Sequence, residues 1–284
     1  MIDLHCHTNV SDNSFSVEEV IAIAKQNGVT HLAVTDHDTT DGLPRAMQIG
    51  KRLGVEIIPG IEISAFDYKR NRRAHILGLF IEPGHKAIAS LCEPLVEERQ
   101  RVAREMVKKV KDAGYDISWE DVERLAAGST GVYKQHIMHA LLDNGYTDRI
   151  YGELYHQLFS KGGEGRKLGI AYVPVHYVDV HDAIGVIEEA GGLPVLAHPG
   201  QFNNFAAVEE WVDVGLVGIE VKHPLHGPKE EARARELAVQ FDLVQTGGSD
   251  FHGFYSDTGA SIGSKSVGPE CMEQLKNLLM KRRG

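Results

Sequence analysis

Short apolar runs of strand composition recur along the chain at residues 31–35, 55–59, 193–197 and 243–246. Each gives way to a histidine or carboxylate and then to a turn or helix signal. Between these runs the pattern takes the helical period. Ser16 and Glu19 have the spacing of a capping box, opening a helix that continues to Asn27 and closes at Gly28. A second helix is predicted over 40–53, ending at Gly54, and others over 180–190, 205–214, 229–241 and 270–281. Strands alternating with helices predict parallel βα units, whose functional residues lie at the carboxyl ends of the strands.

From about 85 to 168 the pattern changes. Three amphipathic helices are predicted over 94–113, 118–127 and 132–144, with no ligand-bearing strand between them. We read this stretch as a helical insert capping the mouth of a barrel, returning through the glycine-rich loop 161–166. The barrel is expected to resume near Tyr172. The domains are thus 1–84 with 169–284, and 85–168. Internal repeats and low-complexity segments are absent.

The residues that end the apolar runs carry the chemistry. They lie in Asp3-Leu4-His5-Cys6-His7 with Asp12 beyond, Thr35-Asp36-His37-Asp38, Gly60-Ile61-Glu62-Ile63-Ser64, Ala74-His75-Ile76-Leu77-Gly78, Leu196-Ala197-His198-Pro199-Gly200, and Gly248-Ser249-Asp250-Phe251-His252. In an extended strand, residues two apart share a face, so His5 and His7 point the same way and Cys6 points into the core. Asp250 and His252 also share a face if their segment is extended. One His-x-His pair means little. Six such segments at strand ends read as a single multinuclear metal site.

Composition narrows the class. A chain of 284 residues, 42% hydrophobic, can bury one large core plus a small insert. The amino-terminal stretch enters a strand without a signal-peptide pattern, and no run approaches a membrane span, so a cytoplasmic location is expected. Three scattered cysteines, Cys6, Cys92 and Cys271, suit reduced thiols rather than a disulfide framework. A formal charge of −10 argues against long nucleic acid. Bound divalent cations would reverse the sign locally and suit a small anionic substrate.

These residues resemble the PHP (polymerase and histidinol phosphatase) superfamily. His5-Cys6-His7, Asp12, Thr35-Asp36-His37, Glu62, His75, His198-Pro199 and Asp250-Phe251-His252 follow its motifs in order and spacing. The surrounding segments look most like a branch of small bacterial phosphoesterases that includes nucleoside 3′,5′-bisphosphate phosphatases, RNA-trimming enzymes and a cyclic phosphate dihydrolase. The resemblance implies an α/β fold, a distorted (β/α)7 barrel with a helical insert over its C-terminal mouth, holding two to three divalent ions. It implies a first ion on His5, His7, Glu62 and Asp250, a second on Glu62, His75 and His198, and a third on Asp12, His37 and His252. Imidazole and carboxylate without thiolate suit manganese first, with iron or zinc as alternatives. Adjacent ions would clamp the phosphoryl oxygens and acidify a bridging water. The expected catalytic residues are His223, as general acid, with Glu62 and Asp250.

Departures from the family pattern bear on the substrate. Relatives of the phosphatase type carry two arginines where this chain has Lys134 and His139, while Arg99 and Arg104 match family arginines. After Glu220-Val221 stand Lys222 and His223, where such relatives show small polar residues. Lys134, His139, Arg99, Arg104, Lys222 and His176 are the expected substrate-binding residues. His31, His85, His156, His181 and His226 are expected to be structural or surface residues. The function expected is hydrolysis of a small phosphorylated ribose compound, with 5-phosphoribosyl 1,2-cyclic phosphate going to ribose 5-phosphate and inorganic phosphate. This ranks ahead of a nucleoside 3′,5′-bisphosphate 3′-phosphatase or a short-RNA 5′-exonuclease. A non-enzymatic metal-binding or proofreading-type module is disfavoured because all nine ligand positions are present. No membrane contact is expected, and protein partners are left open.

Overall fold

A computed structural model describes residues 1–163 and 165–283, so Glu164 of the glycine-rich segment lies outside the described residues. Two compact units are resolved, Met1–Glu93 together with Tyr177 onward, and Pro94–His176. The sequence reading placed this division at 85–168.

The first unit begins with β1 (Ile2–Asp3), α1 (Val17–Gln26), β2 (His31–Val34), α2 (Leu43–Leu53), β3 (Glu56–Asp67) and β4 (Arg72–Leu79). α1 starts where the capping box predicts. Ser16 Oγ accepts the Glu19 N–H, and the Glu19 carboxylate takes the Ser16 N–H at 2.8 Å. Its buried residues Val17, Val20, Ile21 and Ala24 form one helical stripe. α2 lies so close to β3 that a Cβ on Gly50 would meet Ile57 Cγ1 at 2.4 Å, which only glycine avoids.

The chain then runs through α3 (Lys86–Asp112), α4 (Trp119–Leu125), α5 (Lys134–Asp143), α6 (Glu153–Phe159), β5 (Lys161–Gly163) and β6 (Arg166–Leu168). α3 begins well before the expected residue 94, with Pro94 inside it. The second unit buries Val102, Met106, Val110, Val122, Ile137, Leu141 and Leu158. The segment expected to be a loop forms a small antiparallel hairpin, β5 with β6, entered through Gly162 and Gly163 at φ 76 and 86.

The first unit resumes with β7 (Val178–Asp179), α7 (Val180–Glu189), β8 (Leu193–Leu196), α8 (Pro199–Phe202), α9 (Val208–Asp213), β9 (Gly218–Lys222), α10 (Pro228–Gln240), β10 (Val244–Gly247) and α11 (Pro269–Arg283). Strand order is β1-β2-β3-β4-β8-β9-β10, with β7 beside the far end of β3. Backbone bonds from Leu4 N to Gly247 O (3.2 Å) and from Asp250 N to His5 O (2.9 Å) bring the last strand to the first, giving a nearly closed seven-stranded barrel.

One strand departs from the parallel pattern. β4 is antiparallel to both β3 and β8. Residues 68–71 connect β3 to β4, and a connection that short can only form a hairpin, since a parallel return needs a crossover of roughly a dozen residues. Apolar residues of the strands pack in two clusters. One joins Leu32, Ile61 and Ile63 to α1, α2, α7 and α10, and the other joins Leu4, Ile58, Leu77 and Leu193 to Met272 and Leu275 of α11. Among the described residues, no helix is long and apolar enough to cross a membrane.

Candidate metal centre

The carboxyl ends of the parallel strands, with the amino-terminal half of antiparallel β4, bring nine side chains together. His5 and His7 leave β1 on one face, with Nε2 atoms 3.2 Å apart, while Cys6 turns into the core and gives its N–H to Thr35 Oγ1. Glu62 stands within β3, and His75 on β4 lies opposite Ser64. His198 follows β8 at φ 24 and ψ 59. Asp250 follows β10 at φ 48, a left-handed residue, so Asp250 and His252 do not share a strand face as an extended segment would make them do. They reach the cluster from a bend, with Asp250 Oδ1 3.5 Å from His252 Nδ1.

Glu62 is the hub. Its Oε2 lies 3.4 Å from His5 Nε2, 3.2 Å from His7 Nε2 and 3.2 Å from His37 Nδ1. Its Oε1 lies 2.9 Å from His75 Nδ1 and 2.8 Å from His198 Nε2. Asp250 Oδ1 is 3.3 Å from His5 Nε2 and 3.2 Å from His7 Nε2. Asp12 Oδ1 is 3.2 Å from His252 Nε2.

This arrangement fits divalent ions. The sets His5–His7–Glu62–Asp250, His7–Asp12–His37–His252 and His37–Glu62–His75 each offer ligand atoms within 4.8 Å of one another. Four ligands held about 2.1 Å from one ion in a tetrahedron stand about 3.4 Å apart, close to the spacings in the first set. All the donors are imidazole nitrogen or carboxylate oxygen, the chemistry of manganese, iron or zinc.

Burial opposes charge on His5, His7, Asp12, His37, Glu62, His75, Asp250 and His252, and their neighbours decide the outcome. At Glu62 and Asp250 the facing histidines prevail and hold the carboxyls well below their ordinary range, and Asp12 is lowered by His252 and His37. At His5 the carboxylates Glu220, Asp250 and Glu62 prevail and raise the ring well above its ordinary value. His7 is raised to about 10 by Asp250 and Glu62. Asp12 raises His252. At His37 and His75 burial wins, and His37 falls to about 4.

A second layer of buried carboxylates holds the backbone of the site. Asp36 accepts Thr8 N–H, Thr8 Oγ1–H and Ser11 Oγ–H, each at 2.7 Å, which fixes the turn leading to Asp12. Asp3 accepts the N–H groups of Ser249 (2.9 Å) and Gly263 (2.7 Å), and Asp38 accepts that of Ser64 at 2.7 Å. Glu220 faces His5 Nδ1 at 3.1 Å. Sequence reasoning gave these four no role. Their signal was a charge inside or beside an apolar strand run, as in Leu216-Val217-Gly218-Ile219-Glu220-Val221.

The expected general acid, His223, and the residues expected to bind substrate each have partners within the protein. His223 joins the cluster, fully buried, with Nε2 3.2 Å from Asp250 Oδ2 and Nδ1 accepting the Leu225 N–H. Lys222 turns away, its Nζ donating to the Ser266 carbonyl at 3.1 Å. The rest lie in the second unit. Arg99 donates to Tyr133 Oη and sits 4.9 Å from that ring centroid, and Arg104 lies over the Trp119 ring at 4.0 Å. Lys134 Nζ is 5.7 Å from the centroid of Phe159, His139 is 3.6 Å from Asp143, and exposed His176 meets Glu98 at 3.3 Å. Of the histidines expected to be structural, His226 is buried between Val221 O and Gly200 N–H, and His31 pairs with Glu56.

Known proteins resemble this chain. Residues 3–166 match the PHP domain. A phosphoribosyl 1,2-cyclic phosphate 1,2-diphosphodiesterase of Eggerthella lenta is 45% identical over 251 residues, covering 88% of this chain and 94% of its own. The 5′-3′ exoribonuclease Rnm of Salmonella typhimurium is 33% identical over 257 residues, 88% of this chain and 84% of its own. The crystal structure of a Bifidobacterium adolescentis protein assigned as a metal-dependent phosphoesterase matches with a TM-score of 0.85 at 26% identity, over 96% of this chain and 94% of that one. Barrel, cluster and relatives together define a metal-dependent phosphoric ester hydrolase. The chain belongs to the PHP domain family.

Proposed function

We propose that this chain hydrolyses 5-phosphoribosyl 1,2-cyclic phosphate at both ester bonds, giving ribose 5-phosphate and inorganic phosphate. The observation that carries this reading is the 45% identity to the Eggerthella lenta diphosphodiesterase across nearly the full length of both chains. Each cleavage consumes one water and breaks one P–O bond. The first opens the ring to a monoester, and the second releases phosphate.

Two to three divalent ions, manganese ahead of iron or zinc, would be held as follows: one by His5, His7, Glu62 and Asp250, one by Glu62, His75 and His198, and a third by Asp12, His37 and His252. Bound divalent ions supply phosphoryl polarisation and a water acidic enough to attack near neutral pH. Glu62 would serve both of the first two sets, because its two oxygens face different histidines. Nδ1 of His223 already accepts a backbone N–H, so its proton sits on Nε2, and that N–H is assigned to hydrogen-bond the departing sugar oxygen, which takes its proton from water. Lys134 and His139, with Arg99 and Arg104, are the cations assigned to the second phosphate.

The test is a comparison of kcat/KM, with Mn-loaded protein, for the cyclic ester, a nucleoside 3′,5′-bisphosphate and a short 5′-phosphorylated RNA. The cyclic ester is expected to rank first. A bisphosphate or RNA preferred over a cyclic ester that is not turned over reverses the assignment.

A further inference from the structure

Glu220 lies within the buried part of β9 and is fully buried, yet it takes no part in the reaction proposed above. Its two carboxylate oxygens lie 3.1 and 3.2 Å from His5 Nδ1, and Oε2 also accepts the backbone N–H of His198 at 2.8 Å. The other ring nitrogen of His5, Nε2, faces His7, Glu62 and Asp250. A carboxylate against Nδ1 keeps the ring proton there. The Nε2 lone pair is then directed at the cluster and made more basic. His198 has a left-handed backbone uncommon for a residue other than glycine, and the same carboxylate ties down its N–H.

We propose that Glu220 is a positioning residue which sets the ring tautomer of His5 and anchors the backbone of His198, so that one carboxylate aligns ligands of two neighbouring ions. The proposal rests on the metal assignment made under the proposed function. His5, Glu220 and His223 are also close enough to enclose a cation themselves. That alternative requires His5 to ligate through both ring nitrogens without a proton, whereas the Glu220 contact explains the geometry with an ordinary neutral imidazole.

Glu220→Gln separates the two. Of the two carboxylate oxygens that face Nδ1, one becomes an NH2 group and the charge is lost, so the hold on the Nδ1 proton weakens and the ring proton is freer to move to Nε2, where the ion would bind. The experiment titrates metal-free full-length protein with Zn(II), a diamagnetic probe, following affinity by calorimetry and histidine ring protons by NMR on 15N-histidine-labelled protein. In the wild type, one protonated Nδ1 held by a carboxylate is expected to persist through loading. In Glu220→Gln that signal is lost and the affinity for the His5 ion falls about 10- to 100-fold. The ion on Asp12, His37 and His252 is retained at wild-type affinity, and the metal-free variant still melts cooperatively. A general structural role would weaken all the ions alike.

Wild-type affinity for every ion in Glu220→Gln overturns the proposal. So does a loaded wild type in which His5 has no ring proton, a result that stands even if the variant does not fold. A wild type that takes up no zinc overturns the metal assignment itself and this proposal with it.

Discussion

His5 Nε2 and His7 Nε2 face one another at 3.2 Å in a site where both side chains are fully buried. Two ring nitrogens at that distance can share a proton or a cation. In the metal-free chain the surrounding carboxylates favour the proton, raising His7 to about 10 and His5 well above its ordinary value. Ligation needs the neutral ring. Below pH 10 the ion must therefore displace protons, so metal affinity is expected to rise with pH up to about that value. Calorimetry of manganese binding in two buffers of different ionisation enthalpy measures the protons released. Affinity independent of pH would contradict this picture.

Glu62 faces five histidines with its two oxygens. Glu62→Gln keeps the shape but loses the charge and half the acceptor capacity. Removing one partner of a buried charge cluster costs about 3–5 kcal/mol, so kcat/KM is expected to fall roughly 150- to 5,000-fold. Metal analysis of the variant should show fewer bound ions than the wild type, and a variant with full activity would remove Glu62 from its central place.

Asp36 supports the site without facing it. Asp36→Asn turns one acceptor toward Thr8 or Ser11 into a donor, and leaving a buried hydrogen-bonding group unsatisfied costs about 1–3 kcal/mol. Thermal unfolding of the metal-free protein should register this at about 2–4 °C per kcal/mol, and an unchanged Tm would mean the turn holds itself.

Much of this was legible beforehand because βα alternation fixes which end of each strand carries function. The apolar runs located β2, β3, β8 and β10, and the polar residues beyond them located the cluster. Direction was not legible at β4, since Arg72–Leu79 has strand composition whichever way it runs. Asp250 escaped for a related reason, because nothing in Gly-Ser-Asp-Phe-His announces a left-handed residue other than glycine. Pro94 misled in another way. Proline favours the first turn of a helix, but here α3 already begins at Lys86 and continues through it. Glu220 and Lys222 are two apart on β9, and alternation alone assigns them one face, yet a register shift beside Gly247 accompanies their divergence, Glu220 toward His5 and Lys222 toward Ser266.

The assignment of the second phosphate to α5 is testable by itself. Lys134→Ala should lower kcat/KM for phosphorylated ribose substrates about 10- to 150-fold, the effect of losing one charged contact of 1.5–3 kcal/mol, with metal content unchanged. Unchanged kinetics would remove Lys134 from substrate recognition.

The most direct measurement is a phosphorus NMR time course of Mn-dependent turnover, quenched with chelator, starting from 5-phosphoribosyl 1,2-cyclic phosphate. The account predicts loss of the cyclic phosphate signal, then inorganic phosphate and ribose 5-phosphate in equal amounts, with both phases slowed about 10²- to 10³-fold in His223→Leu. Persistence of the cyclic ester under conditions where a nucleoside 3′,5′-bisphosphate is rapidly dephosphorylated would contradict it.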